Sequence, residues 1–493
     1  MKRLLKLIGL LLLVLASIVI ARTFLVSSKQ VAPLPPSAGK IDSAKATRDL
    51  SGAIPFQTIS WEQGGTPEQK KATQEAFAGF HSYLEKTFPP VYAKLQHETV
   101  GAYNLLFTWQ GSNSSLKPML LMGHQDVVPI EAGTEPKWTH PPFSGAIAED
   151  MIWGRGTIDD KVTVVGVLEA VDALLAENFQ PQRTVYLAFG QDEEIGGLQG
   201  AELIGQLLKS RGVEIEFLQD EGGLITKGMV PGVSAPVAVI GTSEKGYLSL
   251  VLSVDTEGGH SSMPPKASSI GILSDAVHRI ETHPMPPHIR GPVSQFLDYA
   301  AGSASFPLNA VFKNMWLFAP LVQRVLASSP DTNALLRTTA APTIFRAGEK
   351  DNIMPSRAEA VVNFRILPGD TIASVTEHVR EVVRDPRVKL KPISGEPPTE
   401  PSKQSSPESP NFKRLQRTLT QIYPDAVSVP FVYIAASDTK HYASITRDVY
   451  RFLPILADTA DLERIHGTNE RIGVHNFAKA VQYYAQLIRS AAD

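Results

Sequence analysis

Apolar residues along this chain fall into short unbroken runs and helical stripes that alternate over most of its length. The first run, residues 7–21, follows Lys2, Arg3 and Lys6 and precedes Arg22. It reads as a charged n-region with an apolar h-region, over residues 1–26: either a signal peptide that is removed or an uncleaved signal anchor. Residues 27–49 are rich in Pro, Ser and Ala and read as a linker. Residues 66–88 place Phe77, Phe80, Tyr83 and Leu84 at helical spacing. Strands are then expected at 104–109 and 118–123, and again at 183–190 and 214–219. Between them, Val164, Val167, Leu168, Val171 and Leu174 mark one face of a helix. Continuous apolar strands alternating with helices predict an α/β fold with a mostly parallel sheet flanked by helices.

The pattern changes at Tyr247. A strand at 248–255, a helix at 268–282, an unusually apolar stretch at 306–326, a strand at 358–367, a helix at 374–383 and a strand at 388–393 predict an inserted α+β domain over 247–400. Residues 394–410 are rich in Pro, Ser and Glu and read as a hinge or exposed loop. Helices at 411–423 and 474–491 return the chain to the first sheet. That sheet domain therefore comprises 50–246 and 401–493, with 247–400 between them as a lid or dimerisation domain.

Composition narrows the chemistry. The chain has no cysteine, so disulfides and thiolate sites are excluded and any metal must be held by His, Asp or Glu. The formal net charge of -3 gives no footing for nucleic-acid binding. Polar groups gather at the ends of the apolar strands and in loops: His124, Asp126, Asp159, Glu193, Glu194, Asp220 and His466. Each has a bland reading: a satisfied core histidine, a helix cap at Asp159 or Asp160, an exposed acidic turn at 192–194. Together, histidines and carboxylates without cysteine suit a catalytic zinc pair. Two divalent ions carry four positive charges, which Asp159, Glu194, Asp220 and a bridging hydroxide would balance. The same carboxylates without a cation would be costly to bury.

Six stretches occur in one order: Gly-His-Gln-Asp-Val-Val at 123–128, Gly-Arg-Gly-Thr-Ile-Asp-Asp-Lys at 154–161, Asp-Glu-Glu at 192–194, Asp-Glu-Gly-Gly at 220–223, Gly-Gly-His-Ser-Ser-Met-Pro at 258–264 and His-Gly-Thr-Asn-Glu at 466–470. In these the chain resembles the di-zinc metallopeptidases that include carboxypeptidase S, aminoacylase, glutamate carboxypeptidase, dipeptidase V and succinyl-diaminopimelate desuccinylase. It is most similar to the branch of carboxypeptidase S and the N-fatty-acyl-amino-acid hydrolases. The resemblance implies two zinc ions, replaceable by cobalt or manganese. Asp159 would bridge them, His124 and Asp220 would complete one site, and Glu194 and His466 the other. Relatives differ over whether the acid at 220 or at 221 coordinates; Asp220 is the expected ligand. Asp126 would orient His124, and Glu193 would act as general base. His260, from the lid, would stabilise the oxyanion, and Asn352 and Arg365 would bind the substrate carboxylate. The loop carrying Asp438 and His441 is expected close by.

The implied function is hydrolysis of an amide or peptide bond next to a free carboxylate, on a small peptide or on an N-acyl amino acid. A binding protein using the same cleft is the remote alternative. The expected setting is an exported protein, held to the membrane by its N-terminal segment unless that is cleaved, and able to dimerise through the lid.

Overall fold

The computed structural model describes residues 1–35, 40–61, 65–394 and 397–491. The six-residue run Met119–His124 is buried at every position because it pairs in parallel with a strand on each side. It is β3 of an eight-stranded mixed sheet. Preceding it are β1 (Gln96–Val100) and β2 (Asn104–Trp109), and after it come β4 (Val185–Gly190), β5 (Ile215–Thr226) and β6 (Val237–Glu244). The chain then leaves for a four-stranded sheet of β7 (Gly246–Asp255), β8 (Thr339–Ala347), β9 (Arg357–Ile366) and β10 (Lys389–Pro392). It returns through β11 (Val427–Tyr433) and β12 (Thr446–Ala457). The first sheet runs in the order β1-β2-β4-β3-β5-β12-β6-β11. Its centre, β4-β3-β5-β12, is parallel, whereas β1 and β2 are antiparallel additions at one edge. The second sheet, in the order β8-β9-β7-β10, is antiparallel throughout.

The helices on and beside these sheets include α1 (Lys2–Leu25), α2 (Ser43–Ala53), α3 (Pro67–Thr87), α4 (Lys161–Ala176), α5 (Ala201–Ser210), α6 (Ser269–Thr282), α7 (Pro292–Ala300), α8 (Leu308–Lys313), α9 (Met315–Leu326), α10 (Ile372–Val383), α11 (Pro410–Ile422) and α12 (Val474–Ala491). Strand alternation divides the first sheet between two cores. Leu121 and Phe217 face α4 and α12, where Val167, Phe477 and Leu487 are fully buried. Leu120 and Leu218 face α5, against Ile204, Leu208 and Tyr442. The second sheet buries Leu248, Leu250, Val362 and Phe364 under α6 and α10, which gives the insertion a core of its own. It joins the first sheet through Lys245, the single residue between β6 and β7, and on the return strand through the bond from Tyr247 N to Thr399 O (2.9 Å).

Two stretches differ from the sequence reading. The expected linker over 27–49 is structured in its last third. Asp42 caps α2 by accepting from Ala44 N and Lys45 N, and Ala46 and Leu50 sit in the main core. Alanines and serines hid a helix whose burial rests on small residues and one leucine. Earlier in the same stretch, the Gln30 amide donates to Tyr299 O (3.0 Å) and Ser428 O (2.9 Å), which ties it to α7 and β11. The apolar stretch 306–326 forms α8 and α9 beside α1 instead of joining the core of the second sheet.

Leu50 is fully buried in that core, whereas Leu34 is exposed at the surface. Leu50→Ala should cost about 2–5 kcal/mol, and Leu34→Ala less than about 0.5 kcal/mol, in urea unfolding of the soluble part from residue 41 or 30 onward respectively.

Candidate metal centre

His124 ends β3, so a fully paired strand fixes its backbone, and its side chain is buried. Its Nδ1 lies 3.0 Å from Asp126 O and 3.3 Å from Asp126 Oδ1. A proton held there leaves Nε2 as the lone-pair nitrogen, and Nε2 lies 2.9 Å from Asp159 Oδ1. Asp159 stands at the entrance to α4, and its other oxygen, Oδ2, lies 3.0 Å from His466 Nε2. His466 Nε2 is also 3.2 Å from Glu194 Oε2. Asp159 thus faces two separate groups of ligating atoms. His124, Asp159 and Glu221 form one, and Asp159, Glu194 and His466 the other, each with its atoms within 4.8 Å of one another.

Carboxylates outside these two groups set the backbone that places them. Asp126 accepts from Glu193 N and Glu194 N, both at 3.2 Å, and so fixes the acidic turn after β4. Asp160 accepts from His124 N (3.2 Å). Glu470 is fully buried and accepts from Gly156 N (3.0 Å), Ile158 N (2.8 Å) and Asp159 N (3.2 Å). It also pairs with Arg155 Nη1 at 2.5 Å. Arg155 Nη2 in turn donates to His466 O (3.0 Å) and Gly467 O (3.1 Å). One ion pair therefore binds the loop of Asp159 to the loop of His466. Gly156 makes its turn at φ +89°, a conformation that favours glycine. On the opposite side of the acidic turn, His441 Nε2 lies 3.0 Å from Gly196 O.

The electrostatics of the cluster fit cations. Burial, with the Asp438, Glu194 and Asp159 carboxylates nearby, pushes Glu193 well above the usual carboxylate range. Burial does the same to Glu221, helped by Asp159 and Asp160. Asp159 is the exception: burial would raise it, but hydrogen bonds to His124 and His466 hold it below its ordinary value. Hydrogen bonds to Asp159 and Glu194 push His466 up to about 10. Protons on the imidazoles thus do the work that divalent ions would do better. Glu194 Oε1 is also buried with no hydrogen-bond partner among the described residues, as suits an oxygen that faces a cation.

The structure groups Glu221, and not the expected Asp220, with His124 and Asp159. In β5, Phe217 faces the core of α4, whose entrance carries Asp159, and Leu218 faces the core of α5. Alternation sends Asp220 with Leu218, and the register with β12 shifts immediately after it, at Glu221 and Gly222. Asp220 shares its surroundings with His124, Asp438, Arg451 and Glu244, and burial there pushes it up to about 7. Arg155 and Glu470 were read only as motif letters, because a charged pair that holds backbone leaves no periodic trace.

The lid residues are not joined to the cluster by any hydrogen bond or ion pair among the described residues. His260 and Asn352 lie together at one edge of the insertion, where Gly259–His260 pairs with Ile353–Met354 and Ser261 N donates to Asn352 O. Arg365 lies on β9 with its guanidinium 5.1 Å from the centre of the Tyr247 ring. It has no carboxylate partner among the described residues, and burial, with the Arg365 charge nearby, lowers the Lys245 pKa to about 8.

A model of peptidase family M20/M25/M40 matches residues 120–490. A Dictyostelium discoideum protein named probable carboxypeptidase S-like 2 is 42% identical over 443 residues, which covers 90% of this chain and 84% of that protein. The N-fatty-acyl-amino acid synthase/hydrolase of Mus musculus is 42% identical over 446 residues, with 90% and 87% covered. Among solved structures, an M20 family metallo-carboxypeptidase from Sulfolobus solfataricus superposes with a TM-score of 0.65 at 18% identity, covering 91% of this chain and 99% of that one.

Metal binding tests this arrangement in two ways. Glu221→Gln should weaken one of two bound ions by roughly 10–100-fold, whereas Asp220→Asn should leave the stoichiometry unchanged, as read by titration with elemental analysis. A cation must also displace the proton that His466 holds up to about pH 10. Binding should therefore release protons and tighten as pH rises over roughly 6 to 9, which calorimetry in buffers of different ionisation enthalpy will read.

Proposed function

Because the chain belongs to peptidase family M20/M25/M40, we propose that it uses two zinc ions to hydrolyse the amide bond next to a free carboxylate. The chain is a metallohydrolase; the number and identity of the ions, the residue roles and the substrate are the proposal. The observation that carries it is the two-sided use of Asp159, at 2.9 Å from His124 and 3.0 Å from His466. His124 and Glu221 would hold one ion, Glu194 and His466 the other, and Asp159 both. When bound, ions there supply Lewis-acid activation of water and of the scissile carbonyl.

The chain's own residues do the rest. Glu193 sits on the turn that Asp126 fixes, next to the ligand Glu194 but outside both ligating groups. It is free to take a proton from the attacking water and deliver it to the leaving nitrogen. His260 would donate to the developing oxyanion once the lid closes. Arg365, stacked on Tyr247 and without an internal counter-ion, offers its planar fork to the substrate carboxylate, with Asn352 as a further contact. A C-terminal peptide bond is the first reading of the substrate. The mouse relative supports the second, an N-acyl amino acid with a long apolar chain. In either case α1 would be an uncleaved anchor, the one helix among the described residues long and apolar enough to span a membrane. Its leading Lys2, Arg3 and Lys6 would keep that end in the cytoplasm and the site outside.

The test is hydrolysis by the zinc-loaded enzyme of a blocked dipeptide with a free C-terminus and of a long-chain N-acyl amino acid. At least one should be cleaved, and chelator should abolish that cleavage. Glu193→Gln should lower kcat by about 10²–10⁴-fold with both ions retained. Undiminished turnover in that variant, or turnover that chelator leaves intact, would overturn the reading.

A further inference from the structure

We propose that the exposed face of α9 lies in the lipid–water interface beside α1, so that the catalytic body is docked flat on a phospholipid bilayer as well as tethered to it. The proposal rests on α1 being a membrane span. That helix has 24 residues and no buried position in its apolar window, a length of about 36 Å at 1.5 Å per residue. The hydrocarbon core it would cross is about 30 Å thick. Lys2, Arg3 and Lys6 mark one end and Arg22 the other.

The far end of α1 is fastened to the junction between α8 and α9. Lys313 Nζ donates to Thr23 O (2.8 Å), and Asn314 Nδ2 to Val19 O (3.2 Å) and to Thr23 Oγ1 (3.3 Å). Asn314 is fully buried in that junction. The first residue of α9, Met315, therefore stands level with the last turns of α1. For a helix that leaves the bilayer at Arg22, this is the boundary between headgroups and acyl chains.

From that point α9 presents two unlike faces. Val322 is buried against the body. The outward face carries Trp316 (54% exposed), Leu321 (57%) and Val325 (60%), with Arg324 between them. Phe306, 80% exposed, lies just before α8. Large apolar side chains with an indole and an arginine, facing outward at the depth where a span ends, match an interfacial helix. Trp316 keeps its indole nitrogen bonded to Asn314 Oδ1 at 3.2 Å, so the ring is oriented by the same residue that holds α1. The occupant of this face is thus set by the helix beside it: where α1 enters lipid, α9 meets the same lipid surface.

The chain lacks cysteine, which makes single labels clean. The full chain would carry an environment-sensitive fluorophore at Leu321→Cys, at Leu12→Cys in α1 or at Lys209→Cys on the exposed end of α5. Each would be reconstituted in phosphatidylcholine–phosphatidylglycerol vesicles with nitroxide-bearing lipid. Blue-shifted emission and several-fold quenching at 321 and 12, but not at 209, are expected. Quenching at 12 with a water-exposed signal at 321 would overturn the docking and leave the anchor intact. No quenching at either would overturn both. A label at 321 that is shielded without lipid, increasingly so with protein concentration, would assign the face to a second copy and overturn the proposal.

Discussion

The buried pair of Glu470 and Arg155 holds together two loops whose partners stand 315 residues apart in sequence. Its carboxylate takes three backbone N–H groups around Asp159, and its guanidinium takes two carbonyls at His466 and Gly467. Losing one partner of a buried pair leaves an uncompensated charge and costs about 3–5 kcal/mol. Here it would also release both loops that supply the central carboxylate and the outer histidine. Asp126 acts in the same way on the acidic turn. The site is thus layered: Glu470 and Asp126, which bind backbone N–H groups, position the carboxylates that face the ligating centre.

How much of this the sequence made legible depends on the kind of signal. The apolar run of β3 and the polar residues at its end were readable, because a strand buried on both faces must be apolar until it reaches the sheet's edge. Asp159 at the start of α4 was readable for the same reason. Choosing between Asp220 and Glu221 required knowing which face of β5 meets α4, and that is a tertiary fact until the two cores are assigned. The α2 helix escaped notice because burial by alanine looks like linker composition. Arg451 is fully buried against Glu244 at 2.7 Å, yet in sequence it is only a charged residue within a strand.

The inserted domain supplies a different constraint. His260 and Asn352 are paired at its edge and Arg365 lies on its sheet, while the ligating groups belong to the first sheet. The chain enters the insertion through Lys245, and α7 of the insertion packs on the first sheet, with Tyr299 and Ala300 in the main core and Phe296 against Phe431. The Lys245 ammonium is itself bonded to Ala334 O (2.8 Å) and Arg337 O (3.0 Å) within the insertion. The crossing at Lys245 is thus held by the insertion's own backbone carbonyls.

The packing of α2 against α12 orders the history of the chain. Leu50 and Leu487 share one core, and the outer candidate ligand and its clamp, His466 and Glu470, come just before α12. Residues made early wait with an open apolar face until residues made late arrive. Until then the half-finished chain has neither a closed core nor both groups of ligating side chains in place. The core that α2 opens is closed only by the helix at the far end of the chain.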